Sequence, residues 1–315
     1  MRETFQTPVQ PDGSTALDAL QTAQRLPYSD LAVAIRSLLT DTSVQVPARL
    51  VQGLPGGGSL FVMPAMDNDT AIAKLITWTP GNAGTGLPTI QGDVVVFDIT
   101  TGERRLILDG PTVTARRTAA VSLVAAQYLA LPREGPMLIV GAGVQGRAHL
   151  DAFVEEFSVT DVVIASRSRA SAEALCRYAH GLGIRARTTT CPNEELSRCS
   201  IVVTSTPTNA VVLDAPVLDG TFIAAVGAFT PHMRELGADL CLHVANSGTI
   251  VVDTPDACHE AGDLLQAGLD VTLVPCLRDV VNGATNGKRG PVLFKSCGWA
   301  GWDLAAARVA MRRTA

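Results

Sequence analysis

The sequence predicts an α/β protein in which an α+β region precedes a doubly wound parallel sheet. Three features of the chain predict this class. Residues 44–108 contain short β-rich runs that are separated by turn clusters and have no helices between them. Residues 137–252 alternate strands with helices, which is typical of parallel sheets. Residues 114–131 lie between the two regions and form one alanine-rich helical run that stops near Pro132.

The front region begins with two predicted helices, residues 16–26 and 28–39, which Pro27 separates. Five β-rich runs follow: residues 44–51, 59–63, 71–77, 93–98 and 105–108. Because strands that follow one another without intervening helices pair as hairpins, we expect a mostly antiparallel sheet.

The back region contains six predicted strands: residues 137–140, 161–165, 184–189, 201–205, 221–226 and 249–252. Helical stretches between them include residues 145–156 and 170–180. Thr254 followed by Pro255 is a favourable helix start, and residues 299–313 form a closing helix. This alternation indicates a doubly wound sheet of the Rossmann type.

Composition narrows the class of protein. The chain has 315 residues, of which 47% are hydrophobic, so a large core can be buried. The net charge is −5 and no block of Lys or Arg occurs, which argues against a nucleic-acid partner. Residues 1–18 are polar, and no apolar run approaches the ~20 residues of a membrane-spanning helix. We therefore expect no membrane association and a cytoplasmic location.

The seven cysteines show neither a CxxC pair nor a Cys/His spacing suited to metal binding. Most of them lie in or beside apolar stretches. The sequence therefore predicts reduced thiols rather than disulfides, and no metal site.

A glycine-rich motif follows the first strand of the back region and reads Gly141-Ala142-Gly143-Val144-Gln145-Gly146. Its spacing fits G-x-G-x-x-G at a strand-to-helix junction, where bare backbone can approach a pyrophosphate. The N–H groups and the dipole at the helix start stabilise negative charge there. We interpret the motif as a dinucleotide site; a tight structural turn is the alternative.

The end of the second strand of the back region indicates which dinucleotide binds. An NAD site usually has Asp or Glu there to bind the ribose 2′-hydroxyl. This chain has Ser166, Arg167 and Ser168 instead, which can bind a 2′-phosphate through charge-assisted hydrogen bonds. We therefore predict NADPH in preference to NADH; the alternative is a solvated basic turn.

Motifs throughout the chain resemble the ornithine cyclodeaminase/μ-crystallin family. In the front region they are Lys74, Gly86-Leu87-Pro88-Thr89, Gly92, Asp98, Thr101-Gly102, Leu108-Asp109-Gly110, Thr114 and Arg117-Thr118-Ala119-Ala120. In the back region they are residues 141–145, Val226-Gly227-Ala228, Arg234-Glu235-Leu236, Gly262-Asp263 and Phe294-Lys295-Ser296. The resemblance implies a homodimer. It also implies a substrate-binding and dimerisation domain over residues 1–117, an NADP-binding Rossmann domain over 118–298, and a C-terminal helix, 299–315, that returns to the first domain.

The resemblance also implies a substrate site in which Arg49, Lys74 and Arg117 surround a carboxylate. A guanidinium binds a carboxylate bidentately, whereas the ammonium of Lys74 can also bind a reacting nitrogen. Lys74 is accordingly the predicted catalytic residue, and a bound water is the alternative partner of that nitrogen. Arg49 has a second interpretation as a surface strand residue.

Further site residues are implied in the same way. Arg117 and Thr118 are expected near the cofactor phosphates, and Thr89 and Gln91 along the pocket. The residues expected near the nicotinamide end are Val226, Ala228, Ser296 and, on the loop after strand 201–205, Thr206.

One position departs from the cyclodeaminase pattern. Members that deaminate ornithine have an aspartate where this chain has Phe229. A phenyl ring can neither accept a proton nor pair with an ammonium group, but it can pack against an apolar ring. The pattern better resembles the reductase branch, which converts Δ1-pyrroline-2-carboxylate or Δ1-piperideine-2-carboxylate to proline or pipecolate. Three alternatives are a cyclodeaminase, an amino-acid dehydrogenase and a non-catalytic NADPH-linked binding protein. His232 is a further candidate acid.

Overall fold

The structure is a computed structural model that describes residues 15–82, 85–130, 134–283 and 290–312. Two sheets are present in these ranges: a six-stranded, mostly antiparallel sheet and a seven-stranded parallel sheet. We call them the front sheet and the Rossmann sheet. The predicted α/β class, with a doubly wound parallel sheet, is confirmed.

The front sheet is formed by the first half of the chain. Its elements in chain order are β1 (Thr15–Ala16), α1 (Ala19–Arg25), α2 (Tyr28–Thr40), β2 (Leu50–Gly53), β3 (Ser59–Met66), β4 (Thr70–Trp78), β5 (Ile90–Asp98) and β6 (Arg104–Asp109). The strand order is β1-β6-β5-β4-β3-β2, and every pair except β1 with β6 is antiparallel. Hairpin pairing along the chain therefore builds most of this sheet, as the consecutive β-rich runs predicted.

Two predicted elements of this region have other bounds in the structure. The first helix begins at Ala19 rather than at residue 16, because Asp18 caps it by accepting a hydrogen bond from the Gln21 amide at 2.8 Å. The predicted strand 44–51 is wrong over most of its length. Gln45 forms an isolated bridge, and β2 begins only after Pro47, which has no N–H for a strand ladder.

The second half of the chain begins with α3 (Gly110–Leu129) and β7 (Met137–Val140). Its other α-helices and strands are α4 (Val144–Phe157), β8 (Asp161–Ala165), α5 (Arg169–Gly181), β9 (Arg185–Thr188), α6 (Pro192–Glu195), β10 (Ile201–Thr204), β11 (Phe222–Ala225), α7 (Ala238–Ser247), β12 (Thr249–Val252), α8 (Gly262–Gln266), α9 (Leu277–Val281), β13 (Val292–Lys295) and α10 (Ala300–Arg312). The strand order of the Rossmann sheet is β12-β13-β11-β10-β7-β8-β9. The order reverses between β7 and β10, and crevices that bind ligands form at such points.

The sequence predicted six strands for this sheet, and the structure has a seventh, β13, between β11 and β12. β13 is only four residues long and fully buried, so it has no alternating pattern by which a sequence reveals a strand. Thr254 begins a short 3₁₀ helix, Pro255–His259, rather than an α-helix.

Helix α3 packs between the two sheets. It contacts β5 and β6 of the front sheet, and also α4, β11 and β13. The hydroxyl of Ser122 lies 2.9 Å from Nε2 of His149 on α4, and both side chains are buried. The predicted domain boundary at 117/118 falls inside this continuous helix.

The last helix, α10, returns to the first half of the chain, where it contacts α2, α3, β3 and β4. Ten of its residues are buried, including Trp302 and Asp303. A buried acid on such a helix needs a cationic partner. Among the helices that the structure describes, none combines the length and apolar character that a bilayer crossing requires.

Candidate active site

The ammonium group of Lys74 lies at the meeting point of β4, α3 and α10. Strand alternation turns this side chain toward the core, and only 1% of its surface is exposed. Its Nζ donates to Oγ1 of Thr114 at 2.7 Å and to Oδ1 of Asp303 at 3.2 Å. Burial lowers the pKa of Lys74 to about 8; the nearby Asp303 opposes this shift, and Arg117 adds to it.

Arg117 shares the same acid. Its Nε donates to Oδ1 of Asp303 at 3.1 Å, so one carboxylate oxygen accepts from both cationic residues. A methyl group on Gly298 would lie 3.6 Å from Nη2 of Arg117, which places the guanidinium beside the loop that follows β13. The structure thus brings two of the three predicted carboxylate-binding residues together.

Arg49, the third predicted cation, precedes β2 and lies outside any strand. It forms an ion pair with Glu260, which follows the 3₁₀ helix of the second half of the chain. Burial raises the pKa of Glu260 to about 7, and Arg49 opposes this shift. Asp253 and Asp256 raise it further. This pair therefore links the two halves of the chain, a role that sequence reasoning did not assign to Arg49.

The glycine-rich motif lies between β7 and α4, and its glycines have different surroundings. Gly141 has a φ of +113°, and a methyl group on Gly146 would lie 2.0 Å from the carbonyl oxygen of Gly141. A larger residue would therefore be strained at position 141, and it would clash with the backbone at position 146. Gly143 precedes α4 without a side-chain cap, and a methyl group there would have no neighbour within 4 Å. The open approach and the uncapped N–H groups fit a pyrophosphate.

The motif reaches the lysine through α3. Nε2 of Gln145 donates to the carbonyl oxygen of Thr114 at 3.4 Å, and Oγ1 of Thr114 accepts from Lys74. Oε1 of Gln145 is buried without a hydrogen-bond partner among the described residues. Ala142 is half-buried, and Val144 is exposed at the helix start. The predicted dinucleotide site and Lys74 are therefore separated by a single residue, Thr114.

The residues after β8 have the exposure that a 2′-phosphate site requires. Ser166 is half-buried, and Arg167 is exposed and has no hydrogen bond or ion pair to any residue that the structure describes. Oγ of Ser168 caps α5 by accepting from the Ser171 amide at 3.3 Å. The guanidinium of Arg167 is accordingly available for an anion.

Two buried acids hold the loops expected at the nicotinamide end. Oδ2 of Asp253 accepts from Oγ of Ser296 at 2.8 Å and from the Gly298 amide at 2.8 Å. Oε1 of Glu235 accepts from the Thr206 amide at 2.5 Å and from the Thr206 hydroxyl at 2.9 Å. These carboxylates fix Thr206 at the carboxyl end of β10 and Ser296 at the carboxyl end of β13, the strands on either side of β11.

Lys295 adds a third buried charge to this end. Its Nζ lies 2.7 Å from Oδ2 of Asp263 and donates to the carbonyl oxygen of Ala228 at 2.5 Å. Oδ1 of Asp263 in turn accepts from the Glu235 amide at 2.5 Å. The loop that begins at Val226 is therefore anchored from inside the protein.

A family model confirms the predicted resemblance. The model of the Ornithine cyclodeaminase/mu-crystallin family matches residues 23–314. The chain belongs to this family.

Named relatives cover almost the whole chain. It is 40% identical over 297 residues to Delta(1)-pyrroline-2-carboxylate reductase 1 of Burkholderia multivorans, a match that covers 93% of this chain and 94% of the relative. It is 33% identical over 290 residues to ketimine reductase mu-crystallin of Rattus norvegicus, with 90% of both chains covered. An archaeal alanine dehydrogenase dimer with bound NAD superposes with a TM-score of 0.83 at 25% identity, with 96% of this chain and 95% of that chain covered.

The remaining predicted residues of this family member differ in how far they are buried. Phe229 is 38% exposed, whereas Ala228 beside it is fully buried. Thr89 is half-buried just before β5, Thr118 is buried on α3, and His232 is exposed. Among the described residues, none of these side chains forms a hydrogen bond or an ion pair with Lys74.

Sequence reasoning missed two acids, Asp303 and Glu260. Neither stood in a motif that it used, and each meets its cationic partner only through folding. The available signal was the cost of burying Lys74 without a partner, which required an acid on some other element.

Proposed function

We propose that this protein catalyses the NADPH-dependent reduction of a cyclic imino acid, Δ1-pyrroline-2-carboxylate or Δ1-piperideine-2-carboxylate or both, to L-proline or L-pipecolate. The observation that carries the proposal is the Lys74–Arg117 pair, separated from the glycine-rich motif by Thr114 alone. The prediction of an oxidoreductase acting on C=N bonds is confirmed, since relatives at 33–40% identity are named as reductases of such substrates.

The two cations hold the substrate by its acid group. Arg117 uses its Nε on Asp303, which leaves both Nη groups for a carboxylate. Lys74 has three N–H bonds, of which Thr114 and Asp303 take two. Fixing the carboxylate in this way orients the adjacent C=N carbon, and such positioning is worth several kcal/mol.

Lys74 also holds the proton that the reaction consumes. With a pKa of about 8 it is mostly an ammonium at neutral pH, yet it is acidic enough to donate to an imine nitrogen. When bound, the reduced nicotinamide supplies a hydride. Lys74 donates one proton to the ring nitrogen, so the C=N group becomes CH–NH. An NAD-bound structural neighbour supports a nicotinamide cofactor.

The surroundings of Phe229 argue against ornithine cyclodeamination. Glu235 is the only carboxylate in residues 226–237. Its Oε1 accepts from Thr206 and its Oε2 accepts from the Gly227 amide at 2.6 Å. Because both oxygens are engaged in the interior, Glu235 cannot replace the aspartate that position 229 lacks.

The decisive assay compares substrates directly. We expect purified protein to oxidise NADPH with the five-membered or the six-membered cyclic imino acid, or with both, and to release no ammonia from ornithine with NAD. Robust proline formation from ornithine would identify a cyclodeaminase. Tight NADPH binding without turnover of either imine would identify a binding protein.

The choice of NADPH rests on Arg167, because its exposed guanidinium has no described partner. Loss of one charge-assisted hydrogen bond costs ~1.5–3 kcal/mol. We therefore expect Arg167→Ala to raise the Kd for NADPH about 10- to 100-fold and to change the Kd for NADH less than about threefold, as measured by nucleotide fluorescence titration. Arg169→Ala is the matched control, because Arg169 pairs with Glu173 at 2.7 Å. Equal losses for both nucleotides would contradict the assignment.

We also propose that the outer face of the front sheet forms a homodimer. β3 and β4 pair in register, so Leu50, Val62 and Leu75 form one apolar row across β2, β3 and β4. Leu50 is 58% exposed and Leu75 is 41% exposed. A second copy is the favoured occupant because a neighbour of the same fold is described as a dimer. The row is continuous with the strand that carries Lys74.

Leu75→Lys tests this interface. Each Leu buried at an interface contributes ~1.5–3 kcal/mol, and a two-fold interface contains two copies. We expect the dimer dissociation constant to rise at least ~100-fold, as measured by analytical ultracentrifugation. Leu273→Lys replaces a leucine that is 80% exposed and far along the chain, and should leave the assembly unchanged. A monomeric wild-type protein, or an unaltered dimer of the variant, would overturn the proposal.

A further inference from the structure

The C-terminal helix α10 places one acid, Asp303, in direct contact with both Lys74 and Arg117. Asp303 is fully buried, and its Oδ1 accepts from Nζ of Lys74 at 3.2 Å and from Nε of Arg117 at 3.1 Å. We infer that Asp303 is a positioning residue that aims Lys74 at the substrate nitrogen and keeps it in the ammonium form. The inference deepens the proposed imine reduction and rests on it.

The hydrogen bonds around Lys74 leave one N–H bond of its ammonium group free and fix the direction of that bond. The hydroxyl of Thr114 donates to the carbonyl oxygen of Gly110 at 2.8 Å, so its oxygen must accept from Lys74. Asp303 accepts a second N–H bond of Lys74 with its two oxygens at 3.2 and 3.3 Å. A third N–H bond remains. Asp303 and Thr114 together therefore determine where that donor points.

The net charge of the group around Asp303 indicates which substrates it can bind. The group consists of two cations, Lys74 and Arg117, and one carboxylate, Asp303, so one positive charge remains uncompensated in a buried place. A substrate with one carboxylate neutralises that charge. Without Asp303 two positive charges would be adjacent and buried, which disfavours the ammonium form of Lys74.

The charged groups that face Lys74 act in opposite directions. Asp303 on α10 favours the ammonium, whereas Arg117 on α3 and burial disfavour it. Thr114 is uncharged and contributes only a hydrogen bond. Removing the carboxylate therefore lowers the pKa of Lys74 below about 8, and the proton is lost within the range in which the enzyme is assayed.

The experiment compares wild type with Asp303→Asn across pH. For wild type, kcat/KM for the cyclic imine should fall above about pH 8, as Lys74 loses its proton. For Asp303→Asn we expect this fall at least about one pH unit lower, a loss at pH 8 that exceeds the loss at the acidic end by about fivefold or more, and recovery to within about fivefold of wild type at the acidic end. A purely structural role would lower kcat/KM equally at every pH.

Asp67→Asn is the matched control. Asp67 is another buried acid that binds α10, through Nε of Arg308 at 2.6 Å. It precedes β4 rather than facing Lys74. We expect its variant to lose stability without any displacement of the pH profile.

A second readout does not require turnover. Protein labelled with ¹³C at the lysine Cε is titrated by NMR, and the Lys74 resonance is assigned with Lys74→Arg. Its titration should move to lower pH in Asp303→Asn. If wild type reduces neither imine but this displacement occurs, the proposed function fails, and only the charge coupling between Asp303 and Lys74 stands. If wild type is active and both profiles of the variant overlay those of wild type, the role of Asp303 is overturned.

Should Asp303→Asn fail to fold, Asp303→Glu replaces it. The longer acid keeps the negative charge but moves it. We therefore expect kcat/KM to fall at the same pH as in wild type, and kcat to be lower. An unchanged kcat would overturn the positioning role.

Discussion

Lys74→Met is expected to lower kcat/KM for the cyclic imino acid about a thousandfold. The substitution nearly preserves side-chain volume but removes the proton donor and one of the two positive charges beside the substrate carboxylate. General acid catalysis alone is worth about 10²- to 10⁴-fold. Asp303 keeps Arg117 as a partner at 3.1 Å, so the core retains a paired acid. Steady-state kinetics at pH 7 checks the loss.

Lys74→Arg and thermal unfolding control this result. Arginine keeps the charge but cannot donate its proton at this pH, because its pKa lies far above the pH of the assay. We expect it to recover substrate binding without recovering kcat, with a Tm close to that of wild type. A Lys74→Met enzyme that retained activity within tenfold would remove Lys74 from the chemistry and leave a bound water as the donor.

Gly143→Ala should greatly weaken dinucleotide binding without unfolding the protein. The added methyl group has no protein neighbour within 4 Å, and the backbone at Gly143 has a φ of −88°, which any residue adopts. The methyl group would instead occupy the approach of the pyrophosphate. We expect the Kd for NADPH to rise at least ~100-fold in fluorescence titration, with an unchanged Tm.

Gly146→Ala is the contrasting variant. Its methyl group would lie 2.0 Å from the carbonyl oxygen of Gly141, so β7 and α4 would have to separate. We expect a loss of about 3 kcal/mol in the free energy of unfolding and a lower Tm. If Gly143→Ala bound NADPH as wild type does, the motif would be a structural turn rather than a dinucleotide site.

The elements that the sequence predicted well are those with a local signal. The glycine-rich motif specified both a strand and the helix after it, and β4, β5 and β6 extend the predicted runs by only one to three residues at an end. The predicted strand over residues 44–51 was wrong because Pro47 interrupts the hydrogen-bond ladder. The prediction had rested on the β propensity of Val44, Val46 and Val51.

Site residues that belong to a sequence motif could be predicted, whereas residues that join the site only through contacts between distant parts of the chain could not. Lys74 and Arg117 lie together, and resemblance to the family had identified both. Asp303 lies 229 residues beyond Lys74, and Glu260 lies 211 residues beyond Arg49. No local pattern relates such pairs, because only the packing of α10 and of the 3₁₀ segment brings them into contact.

Helix α3 determines where a chimera between this protein and a relative can be joined. Thr114 and Arg117 contact Lys74 and Asp303 from its first half, and Ser122 contacts His149 from its second half. A chimera joined at residue 117/118 would fuse two foreign half-helices, so the side chains of one buried helix would come from two parents. A crossover after Leu129 transfers the whole helix from one parent and leaves the register of its side chains intact.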